Sequence, residues 1–342
     1  MARKINSIVN RLDNLKVKIL ITGANGFIGS HLIRRFSALN GFQVTGLVRD
    51  TSDLFRLAGG EYDLRFSSLD DPLEDVVQGF DVVIHTAARS SDWGDYESFY
   101  RTNVEGTNNL LRAALAGGVG RFIHFSSTVI YGFSGNRLTG EDQAPSPFKN
   151  PYCVTKVLAE RELLRYRDRL RLIILRPSNV FGPGDLTTTY PLLEALQKGM
   201  PGFPAGGKYL TSPCYIDNLV KATELAIRAE CLSGEAFNIS DGNDMPWREF
   251  LGRIAGELGV SAPRFPVPSA LLRPAAWGLE KLYTLFHSST PPLITPYRIA
   301  QVINDYSFSI EKAERLLGYQ PVCSTEEGIR ESVRWFLKYS DQ

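Results

Sequence analysis

Apolar residues along this chain follow two rhythms that alternate. Val17 to Thr22 (VKILIT) is a short, nearly continuous apolar run rich in β-branched residues, which suits a strand buried on both faces. Phe42 to Val48, Asp81 to Ala88 and Arg121 to Ser127 contain runs of the same character. From Phe27 to about Leu39 the pattern changes, with Ile28, Leu32, Ile33 and Phe36 recurring at helical spacing. Further helices are expected over about 95–116 and 152–167. The alternation continues to Pro177 and predicts right-handed parallel βαβ units, hence an α/β fold built on a doubly wound parallel sheet. Beyond that point, Gly- and Pro-rich stretches (182–184, 199–207) suggest loops that leave the sheet, while Ala236 to Ser240 reads as one more strand. The expected organisation is a polar extension over 1–16, with a short helix in it, then a first unit over 17–180 that regains segments near 213–240. A smaller, interleaved region over 181–342 completes the chain.

The first strand runs into Gly23-Ala-Asn25-Gly26-Phe27-Ile28-Gly29 and from there into the first helix. Strand, glycine turn and helix in this order form the phosphate-binding turn of a Rossmann-type fold. Gly23 permits the tight turn, Gly26 lets the backbone approach a pyrophosphate, and Gly29 lets the helix pack on the strand. The helix N-terminus supplies unpaired N–H groups and a positive dipole end. Residues 17–180 are therefore expected to bind NAD(P), and 181–342 mainly the substrate. The second strand ends at Arg49-Asp50. An arginine after this strand accommodates the 2′-phosphate of NADP, whereas an acid binds the 2′-hydroxyl of NAD; Arg49 argues for NADP, and Asp50 leaves NAD open. Thr86, Ala87 and Ala88 after the fourth strand are small enough for a flat cofactor to lie on the backbone. The next strand ends in the hydroxyls of Ser126 and Ser127, at the carboxyl end where such sheets bind ligands.

Tyr152 and Lys156 stand four residues apart, which on a helix puts both on one face. An ammonium about 4 Å from a phenol, at an effective dielectric near 20, attracts the phenolate by roughly 4 kcal/mol, up to about 3 units on a pKa near 10. Such a tyrosine acts as a general acid or base. Taken alone the spacing is common; the glycine turn upstream gives it meaning.

Together these pieces resemble an extended short-chain dehydrogenase/reductase over nearly the whole chain. Thr22-Gly23…Gly26…Gly29 resembles that family's TGxxGxxG, and Asn103 to Thr107 its NVxGT. Ser126 to Gly132 resembles SSxxVYG, Tyr152…Lys156 matches YxxxK, and Arg176 to Pro183 resembles RPxNVxGP. The resemblance implies that Tyr152 exchanges a proton with the reacting oxygen while Ser127 hydrogen-bonds it. It implies that Lys156 holds the nicotinamide ribose and tunes Tyr152, and that Asn103 supports a water relay behind Lys156. It further implies cofactor contacts at Asn25, Phe27, Ile28, Pro177, Asn179 and Val180. Where family members carry Asp-Leu or Asp-Val to meet the adenine, this chain has Ser68-Leu69, with Asp70-Asp71 just beyond. Helices near 95–116 and 152–167 often form a dimer bundle in relatives, so a homodimer is expected.

Within the family, nucleotide-sugar enzymes usually place an arginine before a YVDD-like segment, where it pairs with a diphosphate. Here Gly206 to Asn218 carries Leu210 and Thr211 at that point, and the nearest cation is Lys208. One flexible ammonium is a poorer partner for a diphosphate than an arginine fork. The GGxxxLT…YxDN form, ending in Tyr215-Ile-Asp-Asn, resembles the 3β-hydroxysteroid dehydrogenase-like and dihydroflavonol reductase-like branch. So does Ala88 to Gly94, in which Trp93 either walls an apolar substrate or anchors the loop. Substrate contacts are expected at Trp93, Ser127, Asn179 and Tyr215. Pro268 to Phe286 carries an apolar stripe at helical spacing: a core helix, a hydrophobic lid, or a weak membrane-surface contact. The expected activity is an NAD(P)-dependent alcohol dehydrogenase or ketoreductase on a steroid-like or long-chain β-hydroxy/keto compound. A nucleotide-sugar epimerase or dehydratase is the alternative, and a noncatalytic NAD(P)-binding sensor a remote one.

Composition narrows the rest. The chain has 342 residues, 43% hydrophobic, with 38 Lys and Arg against 37 Asp and Glu, for a net charge of +1. That gives no reason to expect nucleic acid. No apolar run reaches membrane-span length, and the N-terminus lacks a secretory apolar core. Cys153, Cys214, Cys231 and Cys323 are scattered without paired spacing, as in reduced cytoplasmic proteins. His31, His85, His124 and His287 show no ligand spacing, so no metal is expected.

Overall fold

The structure is a computed structural model that describes residues 16–200 and 202–340. The short helix expected in the N-terminal extension lies outside the described residues. Seven parallel strands form the central sheet: β1 (Val17–Thr22), β2 (Phe42–Val48), β3 (Asp63–Phe66), β4 (Val82–His85), β5 (Arg121–Phe125), β6 (Arg171–Pro177) and β7 (Glu235–Ile239). Their spatial order is β7-β6-β5-β4-β1-β2-β3. This is the 3-2-1-4-5-6 Rossmann order with a seventh strand added beside β6, and the order reverses between β1 and β4. The register is unbroken across that reversal, with Ile19 opposite Val82 and His85 opposite Thr22.

Helices cover both faces. The ones that matter here are α1 (Phe27–Ser37), α2 (Gly106–Ala116), α3 (Pro151–Leu164), α4 (Ile216–Arg228), α5 (Ser269–Leu285), α6 (Pro296–Val302) and α7 (Thr325–Ser340). The strand period of two sorts the core into layers. Ile19, Ile21, Ile84, Ile123 and Ile173 point into the layer of α1 and α4. Leu20, Val83, Phe122 and Leu172 point into the layer of α2. Strands buried on both faces explain why the chain reads as unbroken apolar runs rather than as alternation.

The helical stretch expected over 95–116 is one continuous rod of three parts: Tyr96–Tyr100, a π-helical turn over Arg101–Glu105, and α2. The region after Pro177 returns to the sheet through α4 and β7, and β7 pairs with β6 over Glu235–Ile239 and Ile173–Pro177. The core-helix reading of 268–286 fails: of the seventeen residues of α5 only Ala276 is buried. Among the described residues, no helix is long and apolar enough to cross a membrane, and no group of three or more His, Cys, Asp or Glu is placed to hold a metal.

Candidate active site

The glycine turn is built so tightly that side chains are excluded from it. Gly23 has φ +67°, and a Cβ there would lie 2.8 Å from Ala87 Cα. A Cβ on Gly29 would fall on the Gly23 carbonyl oxygen and 2.8 Å from its carbon. Gly26 is the N-cap of α1, which has no side-chain cap and no acid in its first turn. The N–H groups at Phe27 and Ile28 are left for an outside anion, as a dinucleotide pyrophosphate requires. Asn25 turns its amide away, donating to the Asp53 carbonyl at 3.2 Å. These residues fit a dinucleotide.

The floor beside this turn is held by His85. Thr107 Oγ1 donates to the Asn103 carbonyl (2.7 Å), so it accepts from His85 Nε2 (2.9 Å). His85 Nδ1 must then accept from Thr22 Oγ1 (2.8 Å), and Thr22 Oγ1 in turn accepts the Ala87 N–H (3.3 Å). Burial, with the nearby Lys156 charge, pushes the His85 pKa down to about 3, so the ring stays neutral. Thr86 Oγ1 donates to the Thr22 carbonyl at 2.7 Å. The small residues 86–88 are thus tied to β1.

At the adenine end, Arg49 is exposed just past β2. Asp71 is spent locally, its carboxylate accepting from Ser68 N (2.6 Å) and Ser67 Oγ (3.0 Å). Leu69 packs on Gly106, where a Cβ would lie 2.9 Å from its own Cβ.

Helix α3 begins where its sequence dictates. Asn150 Oδ1 accepts the Tyr152 N–H at 2.9 Å, and Pro151 occupies the first turn, where its missing N–H costs nothing. Tyr152 is half-buried in the first turn and Lys156 buried one turn on. Burial pushes the phenol up to about 12; Ser127 is near enough to act the other way. The strong Lys156–Tyr152 coupling expected from spacing is not present. The Lys156 Nζ lies 6.0 Å from the phenol ring centroid and donates to the Phe125 carbonyl at 2.7 Å. Burial drops the Lys156 pKa to about 8, against the pull of Glu160. Glu160 is clamped by Arg176 through two bonds, Nε–Oε1 at 3.0 Å and Nη2–Oε2 at 2.6 Å, which fixes α3 on β6. Ser127, also buried, caps the turn after β5. Tyr152, Lys156 and Ser127 therefore meet at the carboxyl ends of the strands. Tyr152 packs against a buried apolar cluster that includes Ile130 and Phe133, with Phe148 and Tyr297 also packed on it.

Asn103 sits in the π-helical turn. Its amide donates to the Arg89 carbonyl (3.1 Å) and Thr155 Oγ1 (3.0 Å), and its oxygen accepts the Arg89 N–H (2.8 Å). Both amide hydrogens are committed, so Asn103 clasps the loop after β4 to α3 and leaves one lone pair free.

Asn179 donates to Thr211 Oγ1 (2.8 Å) and accepts from Gln301 (2.7 Å), with Val180 beside it and Pro177 buried at the end of β6. Trp93 anchors a loop: its indole N–H donates to the Ser288 carbonyl at 2.9 Å and its ring meets Tyr283 edge-on at 6.4 Å. Tyr215 is not brought to the cleft. It is buried against Phe181 and against Gly328 of α7, on the far side of its short strand.

Residues missed in the sequence close the site. Asp92 accepts from Thr295 Oγ1 (2.7 Å) and pairs with Arg298 (Nη2–Oδ1 3.0 Å, Nε–Oδ2 2.8 Å), while Asn150 donates to the Asp92 carbonyl (3.0 Å). These bonds tie α6 to the Trp93 loop and the start of α3. The Asn-Pro start was a visible helix signal; the partners of Asp92, some 200 residues on, had none.

Comparison with known proteins places the chain in a family and a fold. The profile described as NAD dependent epimerase/dehydratase family matches residues 19–240. The chain is 32% identical to the 2-alkyl-3-oxoalkanoate reductase of Stenotrophomonas maltophilia, over 92% of this chain and 98% of that one. It is 29% identical to the 3beta-hydroxysteroid-dehydrogenase/decarboxylase isoform 1 of Arabidopsis thaliana, over 94% and 81% respectively. The crystal structure of gox2253 superposes with a TM-score of 0.79 at 28% identity, covering 95% of this chain and 99% of the other. The UDP-glucuronic acid 4-epimerase from Bacillus cereus in complex with NAD shares the fold, with a TM-score of 0.76 at 24% identity over 94% and 99%.

Proposed function

The chain belongs to the NAD dependent epimerase/dehydratase family, and on that footing we propose that it interconverts a hydrophobic β-keto and β-hydroxy compound with a nicotinamide cofactor. It is an enzyme, an NAD-dependent oxidoreductase of the extended short-chain dehydrogenase/reductase type. The cofactor, when bound, supplies or accepts the hydride. The remaining work falls to this chain. Tyr152, neutral because burial holds its phenol near 12, is ready to donate a proton to the oxygen of a carbonyl being reduced. The Ser127 hydroxyl steadies that oxygen as charge develops on it. Lys156, tethered at the Phe125 carbonyl one turn on from Tyr152, supplies a donor for a ribose hydroxyl.

The observation that carries the substrate class is what stands at 210–211 together with the state of Arg298. A nucleoside diphosphate needs an uncommitted arginine fork. Leu210 and Thr211 stand where one is expected, and Thr211 is held by Asn179. The guanidinium of Arg298 is already occupied by Asp92 and by the carbonyls of Pro292 and Leu293. The apolar surroundings of Tyr152 suit an alkyl chain or a ring system instead, and the names of the Stenotrophomonas and Arabidopsis relatives describe such substrates. Arg49 supports NADP over NAD, and the resemblance supports a cytoplasmic homodimer.

A screen of nicotinamide absorbance with 2-alkyl-3-oxoalkanoates, sterols and UDP-sugars tests the assignment. Net cofactor turnover with one of the first two classes is expected. The family and the epimerase-like fold keep epimerisation as a second reading; conversion of a UDP-sugar without net cofactor change would establish it and overturn the first.

A further inference from the structure

Helix α5 is apolar on both sides but covered on one. At 100° per residue, Leu272, Ala276, Leu279 and Tyr283 form one stripe. Leu272 and Ala276 pack with Ile299 and Ile303 around α6, and Tyr283 meets Trp93. The opposite side carries Leu271, Pro274, Gly278, Leu282 and Leu285, bordered by Trp277 and Phe286. Leu271, Trp277, Leu285 and Phe286 are 61–73% exposed. A helix apolar all round is expected to be buried all round. Among the described residues nothing covers this outer face, and contiguous exposed apolar surface of this kind marks an interaction site.

The charges around it select the partner. Between 264 and 293 the cations Arg264, Arg273 and Lys281 are all exposed. Glu280 is the single acid in that stretch, and it is half-buried on the protein side with its carboxyl held up by burial. Lys281 lies 5.9 Å from the centre of the Trp277 ring and projects on the outer face between Trp277 and Pro274. A tryptophan at the boundary, long cations able to snorkel and an apolar face of leucine and phenylalanine are what an interfacial helix presents to anionic headgroups and acyl chains. A second copy docked here about a two-fold axis would bring the exposed cations of this stretch toward one another with no exposed acid of the stretch between them.

We propose that the outer face of α5 seats the protein on the surface of an anionic phospholipid membrane. The inner face of the same helix holds the Trp93 loop, and that loop is tied through Asp92 to Asn150 at the start of α3. The seated helix therefore adjoins the active-site mouth, giving a hydrophobic substrate a route from lipid to Tyr152. The membrane contact itself does not depend on which substrate is turned over.

The test is flotation of the full chain with phosphatidylcholine vesicles that do or do not contain phosphatidylglycerol, with brominated lipid as a quencher of tryptophan fluorescence. The expected result is co-flotation with phosphatidylglycerol vesicles, weakened at high salt, and quenching that disappears in Trp277→Phe while flotation persists. The pair Leu285→Gln and Phe286→Gln should lower vesicle partitioning at least tenfold with cofactor binding retained. Absence of flotation by the wild-type chain would overturn the proposal. So would a change from dimer to monomer on size exclusion in the double variant of a chain that ignores vesicles, which would make the face a self-interface. Neither readout requires catalysis, so they stand or fall apart from the oxidoreductase reading.

Discussion

Replacing Lys156 by methionine should abolish turnover and yet make the protein more stable. The ammonium is buried and donates to the Phe125 carbonyl. Burial lowers its pKa from 10.5 to about 8. At about 1.4 kcal/mol per unit, a charged Lys156 costs the folded state roughly 3 kcal/mol. Methionine fills similar space without the charge but forfeits that hydrogen bond, worth about 1 kcal/mol. The net expectation near pH 7 is a gain of about 2 kcal/mol, or a Tm higher by roughly 2–6 °C. The sign with pH follows from the depressed pKa. Between about 8 and 10.5 the unfolded chain binds the proton that the folded one has lost, so wild-type stability gains from this group as pH rises. At pH 10 the cost has shrunk to about 1 kcal/mol and the two proteins should melt together. Thermal and urea unfolding at pH 7 and pH 10, followed by circular dichroism, measure both quantities. A variant less stable than wild type at pH 7, or a difference unchanged at pH 10, would refute the reasoning.

Other substitutions probe other parts of the site. Gly29→Ala places a methyl against the Gly23 backbone; it should weaken cofactor binding by about tenfold or more and cost roughly 1–3 kcal/mol of stability, measured by titration calorimetry and unfolding. Arg49→Ala should raise the Kd of NADPH by about tenfold and leave that of NADH nearly unchanged, and equal effects on both would remove the NADP assignment. Asp92→Ala leaves Arg298 without its carboxylate and frees α6 from the Trp93 loop. Because Arg298 is partly solvated, the stability loss should be about 1–2 kcal/mol, with a raised substrate KM and unaltered cofactor affinity in steady-state and binding assays.

Much of this architecture could be read from residues alone, and the reasons are local. A buried parallel strand must be apolar on both faces, so β1, β4 and β5 announce themselves. The glycine turn is legible because backbone crowding at Gly23 and Gly29 leaves one residue type. The start of α3 was written in Asn150-Pro151. What stayed hidden depends on partners without a sequence signature. Lys156 is held by a backbone carbonyl on β5, which no spacing rule reveals, and this is why the inferred tuning of Tyr152 was too strong. Trp93 could wall a pocket or anchor a loop, and only the Ser288 carbonyl distinguishes the two. Tyr215 lies on a three-residue strand, too short for its pattern to tell one face from the other. The periodicity of α5 reports that both of its sides are apolar but not which is covered.

The most direct test of the central claim follows the hydride into the product. The wild-type enzyme and Tyr152→Phe are incubated with a 2-alkyl-3-oxoalkanoate and NADPH deuterated at the transferring carbon, and the products are weighed by mass spectrometry. The account predicts one deuterium at the former carbonyl carbon with the wild-type enzyme, and loss of most of that product in Tyr152→Phe with cofactor binding intact. Equal deuterium transfer in the phenylalanine variant would contradict the role given to Tyr152. So would the absence of any label with the wild type while a UDP-sugar is epimerised without net cofactor use.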